Sequence, residues 1–284
     1  MQPEASDITL RRCVFAVSVL RDVDLVPLDD GVVLAGVPTV HVSWAELRLA
    51  LGAADAESGP GQDRVARWLI LRRWLADRHQ SELRECVRPV GLPVGHALHP
   101  GPGWPQERVL GDAMDLGLGI VGSDPANPDE VVVLPTELLR AAGVSPRLCW
   151  HDARRYLDRM AALAIQRWNT SARDILRPMG DCDVVTLIGS PALRAALCSE
   201  SGGMRTVVVP MRTRGWVDPS HIDPAFAMAA AAASQPADRG FERGLLVTAD
   251  EVVMVPAGGR PQELALRGPA IDRPQHLRPV LYHR

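Results

Sequence analysis

The sequence predicts an α/β or α+β fold: a central mixed sheet with a short β-α-β unit at about residues 184–211, plus an N-terminal β-hairpin-helix subdomain. Three observations predict it. First, Val184-Val185-Thr186-Leu187-Ile188 and Thr206-Val207-Val208-Val209 are nearly unbroken apolar, β-branched runs, the pattern of strands buried on both faces. Second, Ser190-Pro191 between them opens a helix, the hydroxyl capping a free amide and proline losing no hydrogen bond at the first helical position. Gly202-Gly203 closes that helix, and two parallel strands joined by it is the simplest arrangement. Third, Asp29-Asp30-Gly31 separates Leu25–Leu28 from Val32–Ala35, an Asp-Gly hairpin signal.

Taken in order, residues 8–20 read as a strand around Cys13–Val17, followed by the hairpin. Ser43 and Glu46 form a capping box that opens a helix through Leu51. Residues 52–63, rich in Gly, Ala and Asp, read as a linker between a subdomain at 1–52 and a main domain at 62–256. A single long helix is expected from Arg64 to about Cys86, on the helical spacing of Val65, Trp68, Leu69, Leu75 and Leu83. Residues 89–107 read as irregular and Arg108–Leu116 as a short helix or turn. A strand at 131–134 feeds a helix from Thr136 to Ala142, and an amphipathic helix runs from Asp152 to Trp168. After the β-α-β unit, Asp223-Pro224 starts a helix through the alanine tract to Pro236, and 245–248 with 252–255 makes a second hairpin. The Pro-, Gly- and Arg-rich stretch 257–284 reads as a tail.

Composition bounds the chemistry. In 284 residues, 46% are hydrophobic and 23% charged, the balance of a globular protein with a sizeable core. All 31 basic residues are arginine. Without lysine there is no Walker-type phosphate loop and no amine for a Schiff base to pyridoxal phosphate, and no cofactor is expected. The net charge of −3 supplies no general basic field, so composition argues against nucleic acid or a membrane as partner, and any such binding must come from a local patch. Five scattered cysteines without a Cys-x-x-Cys point to reduced, buried thiols. With no signal pattern at the N-terminus and no apolar run of membrane-spanning length, the expected location is the cytoplasm.

The favoured candidate site is the turn at Ser190 together with Arg212, Arg214 and Trp216. In open α/β sheets ligands gather at the carboxyl ends of strands, and a helix N-terminus there suits an anion. Arg212 and Arg214, two apart on an extended chain, would point to one side and fork onto an oxyanion, with Trp216 as a stacking surface and His221 available as a base. The bland reading of the same residues is a cap, surface ion pairs and packing. Ser190 is not a nucleophile elbow: Ile188-Gly189-Ser190-Pro191-Ala192 has the wrong glycine spacing, and Pro191 removes the oxyanion donor. Gly117-Leu118-Gly119-Ile120-Val121-Gly122 matches the dinucleotide-binding string but lacks a strand before and a helix after it, and reads as a glycine-rich turn or strand. His96, His99 and the Cys149–Asp152 stretch offer metal-ligand types at spacings that define no site, so no metal is expected.

The functional expectation is a regulatory, non-catalytic module binding a small anionic molecule or a protein partner. The alternatives are phosphoryl or acyl transfer in the same place, with His221 as base, and a DNA-binding regulator built on the arginines of the 64–88 helix. There Asp63, Asp77, Glu82 and Glu85 interleave with the arginines, as on a solvated mixed-charge face.

Overall fold

Helices and antiparallel sheets are mixed along the chain in the computed structural model, which describes residues 5–100, 103–111, 113–123, 130–170, 175–218 and 235–254, with Ala229 and Ala232. The α/β or α+β class holds. Every strand pairing among the described residues is antiparallel, so the parallel β-α-β unit does not form.

Helix α1 (Ala5–Leu20) replaces the strand expected at 8–20. Its Leu10, Cys13, Val14 and Val17 are buried at i, i+3, i+4 and i+7, the period of a helix, which outweighs the strand preference of its valines. The N-terminal hairpin is present as β1 (Leu25–Pro27) and β2 (Gly31–Leu34), joined by β3 (Val40–Ser43) in a three-stranded sheet. Ser43 caps α2 (Trp44–Leu51), its Oγ accepting from the Glu46 amide at 3.1 Å.

Gly59 to Asp63, expected in the linker, form the start of α3 (Gly59–Ala76), capped by Ser58. The long helix expected to Cys86 is two helices. Arg73 grips Asp77 at the end of α3, and His79, whose amide donates to Glu82 Oε2, begins α4 (Gln80–Cys86). These helices, the three-stranded sheet and α5 (Thr136–Ala141) share one hydrophobic cluster that reaches from Leu10 to Ala153.

The second sheet orders β4 (Val87–Pro93), β6 (Met114–Ile120) and β5 (Gln106–Val109), with β7 (Val132–Val133) paired to β6. Residues 89–93 and 106–107 are strand where irregular chain was expected, the described residues between them being irregular, and 108–109 with 114–116 are strand in place of the expected short helix or turn. Pro89 and Pro93 lie on β4, a strand at the sheet's edge, where a missing N–H is tolerated. Gly117 and Gly119 of the glycine string lie inside β6, and Gly122 follows it. A Cβ on Gly117 would fall 2.3 Å from the Trp104 ring, and one on Gly119 would fall 2.4 Å from Val90, so these glycines make room for neighbouring side chains.

The third sheet, in order β12-β11-β9-β10-β8, comprises β8 (Ile175–Leu176), β9 (Met204–Met211), β10 (Arg214–Val217), β11 (Leu245–Thr248) and β12 (Val252–Met254). It packs on α6 (Pro146–Thr170), α7 (Val184–Ile188) and α8 (Pro191–Cys198). The expected strand at 184–189 is α7, and all five of its residues are buried. A five-residue apolar run surrounded on every side carries no period to tell helix from strand. Asp183 decides it by capping the Thr186 amide at 2.7 Å. The close fit at Gly91, where a Cβ would lie 2.8 Å from the Thr186 Cα, seats α7 against β4, and Thr186 Oγ1 accepts from the Gly91 amide at 2.8 Å. The helix expected from Asp223 (apart from Ala229 and Ala232), the tail at 257–284 and His221 lie outside the described residues. Among the described residues no helix is long and apolar enough to cross a membrane.

Candidate functional site

The structure separates the residues of the sequence-derived site. Ser190 is fully buried, and its Oγ accepts from the Leu193 amide of its own helix. Beside it Arg194 turns inward, donating from Nη1 to the carbonyls of Ile188 (3.0 Å) and Gly189 (2.9 Å) and so closing the C-terminal end of α7. Arg194 is only 6% exposed, and burial lowers its pKa. Ser190 is a cap, and the amides it faces are not open to solvent.

Arg212 sits at the opposite end of α7. It lies in the tight turn between β9 and β10, so it and Arg214 are not alternate residues of one strand. Its Nε donates to Asp183 Oδ2 at 2.6 Å, its amide donates to the Asp238 carbonyl at 2.9 Å, and its own carbonyl accepts from the Val184 amide at 2.8 Å. Asp183 thus caps α7 with one oxygen and holds Arg212 with the other. Arg212 is committed to joining the β9–β10 turn to α7.

Arg214 and half-buried Trp216, two apart on β10, do share a side. Arg214 pairs with Met211 and Trp216 with Val208, so the extra residue of the irregular register lies on β9 and β10 keeps its alternation. Gly215 between them faces Val209 and Val184 of α7, so Arg214 and Trp216 lie on the face of the sheet away from α7.

In place of the expected pocket there is a row of arginines at the end of the third sheet. Gly215 pairs with Leu176, and the antiparallel continuation brings Arg177 beside Arg214. Met211, the partner of Arg214, is bridged on its other side to Arg239. Arg177, Arg214 and Arg239 are exposed, and Arg177 and Arg214 make no ion pair among the described residues. Exposed like charges in adjacent strands disfavour each other. Sequence reading found Arg214 and missed Arg177 and Arg239: the two-residue strand β8 and a single bridge leave no signature in sequence.

His96 closes the row. Its Nδ1 accepts from the Leu98 amide at 3.1 Å, so its Nε2 carries the proton and donates to the Arg239 carbonyl at 3.0 Å. Burial, and next the nearby Arg212 charge, lower its pKa. His99, expected as its possible co-ligand, looks elsewhere: its Nε2 donates to Gln106 Oε1 at 2.9 Å and lies 3.4 Å from the buried Asp115. Arg108 binds the same carboxylate from Nε at 2.5 Å. Cys149 is buried and Asp152 is held by Arg84. Among the described residues no three His, Cys, Asp or Glu side chains are grouped to hold a metal ion.

The arginines of the 64–88 stretch are also largely engaged. Arg73 binds Asp77 and the carbonyls of Ala35 and Pro38, Arg78 lies 3.8 Å above the Trp74 ring, and Arg88 binds Asp181 at 2.5 Å while stacking on Tyr156. Compared with family models, curated proteins and solved structures, the chain matches none of them.

Proposed function

We propose that this chain is a non-catalytic binding module whose binding surface is the arginine row at the end of the third sheet, and that its ligand is anionic. The observation that carries this is the pair Arg177 and Arg214: neighbouring residues by strand register, exposed, with no ion pair among the described residues. Two adjacent cations without a counter-charge raise each other's energy, and an oxyanion accepting from both removes that repulsion and gains charge-assisted hydrogen bonds. Arg212 supports the reading as scaffold rather than ligand contact, since its bond to Asp183 fixes the turn that presents Arg214. The five unpaired cysteines support a reducing compartment such as the cytoplasm.

The test is binding of inorganic pyrophosphate to the wild type and to an Arg177→Ala/Arg214→Ala variant, followed by calorimetry. Binding by the wild type and none by the variant, with both folded, supports the proposal. Equal binding by both, or none by either, overturns it.

A further inference from the structure

We infer that the ligand of the arginine row is a nucleotide, its phosphates on Arg177 and Arg214 and its base stacked on Trp216. This rests on the anion-binding reading above and names the class of ligand. Strand register puts the three residues on one surface. Gly215 faces Val209 and Val184, which turns Arg214 and Trp216 to the face of the third sheet away from α7. On β8, Leu176 pairs with Gly215 and is buried in the same core, so Ile175 and Arg177 on either side of it lie on the outer face. That face carries two rows that run across the strands. Arg177 and Arg214 belong to one. Ile175, Trp216 and Val208 form the other, Trp216 being paired with both of its neighbours.

Trp216 stands apart from the other tryptophans. Trp44, Trp68, Trp74 and Trp104 each donate the indole N–H to an acceptor within the fold. Trp150 and Trp168 lie under the guanidinium groups of Arg154 and Arg205. Trp216 does neither among the described residues, and it is only half-buried. A ring that neither bonds nor stacks within its own fold is free to stack on a ligand.

The chemistry of the two rows fixes the class. Phosphate oxygens accept from two guanidinium forks at once, and arginine matches their geometry. A nucleobase of any kind stacks on an aromatic side chain. The rows are two residues apart along β10, about 6.6 Å, a gap that the sugar between base and phosphate bridges. Charge sets the direction. Asp218, beyond Trp216 on the side away from Arg214, holds Arg205 at 3.3 Å, so the phosphates belong at the arginine end. Held in this way, phosphate needs neither a glycine-rich loop nor a lysine, in keeping with a chain whose 31 basic residues are all arginine.

The test is calorimetry with ADP and with inorganic pyrophosphate at one ionic strength, two ligands that share a diphosphate and differ by a nucleoside. The proteins are the wild type, Trp216→Leu, Trp216→Phe and Arg177→Ala/Arg214→Ala, each checked for cooperative melting. If Trp216→Leu does not fold, Trp216→Thr, well suited to a strand, takes its place. The wild type should bind ADP at least about tenfold more tightly than pyrophosphate, a gain within the reach of one stacked base. Trp216→Leu should lose that preference and keep its affinity for pyrophosphate. Trp216→Phe, which restores a ring, should retain most of it, and the arginine variant should bind neither ligand. If the wild type binds both ligands equally, or Trp216→Leu keeps the preference, the nucleotide assignment is wrong and the anion site stands. If neither ligand binds the wild type, or the arginine variant binds ADP as the wild type does, both readings fail.

Discussion

His96 shows how a single side chain ties the candidate site to pH. Its Nδ1 accepts from a backbone amide and its Nε2 donates to a backbone carbonyl, so the ring is neutral where it sits. Protonation would turn Nδ1 into a donor facing a donor and set a second cation near Arg212. Burial and Arg212 accordingly lower its pKa from the ordinary 6.5. A folded-state pKa below the unfolded one means that the unfolded chain takes up the proton first. The stability contributed by the neutral ring is then complete above pH 6.5 and is lost as the pH falls below it. Melting temperatures from about pH 8 to about pH 5 should fall more steeply for the wild type than for His96→Gln. Parallel curves would show that His96 is not responsible. Cysteine chemistry is equally local. Burial raises the pKa of Cys13, Cys182 and Cys198 and brings Cys149 to about 11, whereas Cys86 is only half-buried. Titration of the native protein with a thiol reagent should modify Cys86 first, with the other four reacting only on unfolding. Rapid reaction at several sites would contradict that burial.

At the scale of elements, α7 and β6 carry the strongest expectations. Thr186→Val keeps the shape of α7 but leaves the buried Gly91 amide without its acceptor, which costs about 1–3 kcal/mol. Denaturant unfolding of that variant should show a lower midpoint, and an unchanged one would mean that the bond contributes nothing. Gly117→Ala drives a methyl into the Trp104 ring and should destabilise by about 1–3 kcal/mol. Trp104→Leu in the same chain should recover part of that loss, provided the clash with the ring is its cause. These two elements also mark where sequence reading ends. Caps were legible: Ser43, Ser190 and the Asp-Gly hairpin stand where their side-chain chemistry puts them. The 184–188 run was not, because five residues buried on all sides have no polar face to reveal a period. β6 was left open between turn and strand because its glycines, which suit turns, are there for the neighbours they admit. The candidate site was legible at Arg214 and Trp216. Arg212 was drawn to Asp183, 29 residues earlier, and the partners of Arg214 come from Arg177 and Arg239, a proximity that only the antiparallel sheet creates.

Over the whole molecule, charge is carried by arginine alone on the basic side and sums to −3. Most arginines of the N-terminal half hold the fold together: Arg72 with Glu46, Arg73 with Asp77, Arg84 with Asp152, Arg88 with Asp181. Arg177, Arg214 and Arg239 at the third sheet's end face solvent, which makes a locally basic surface on a mildly acidic protein. The most direct test is a thermal-shift titration of the wild type and Arg177→Ala/Arg214→Ala with inorganic pyrophosphate at low ionic strength. A ligand that binds only the folded state stabilises it by about 2.7 kcal/mol at a hundredfold excess over its dissociation constant. The account predicts a rise in melting temperature for the wild type that is absent in the variant. A rise of the same size in both proteins, or in neither, would contradict it.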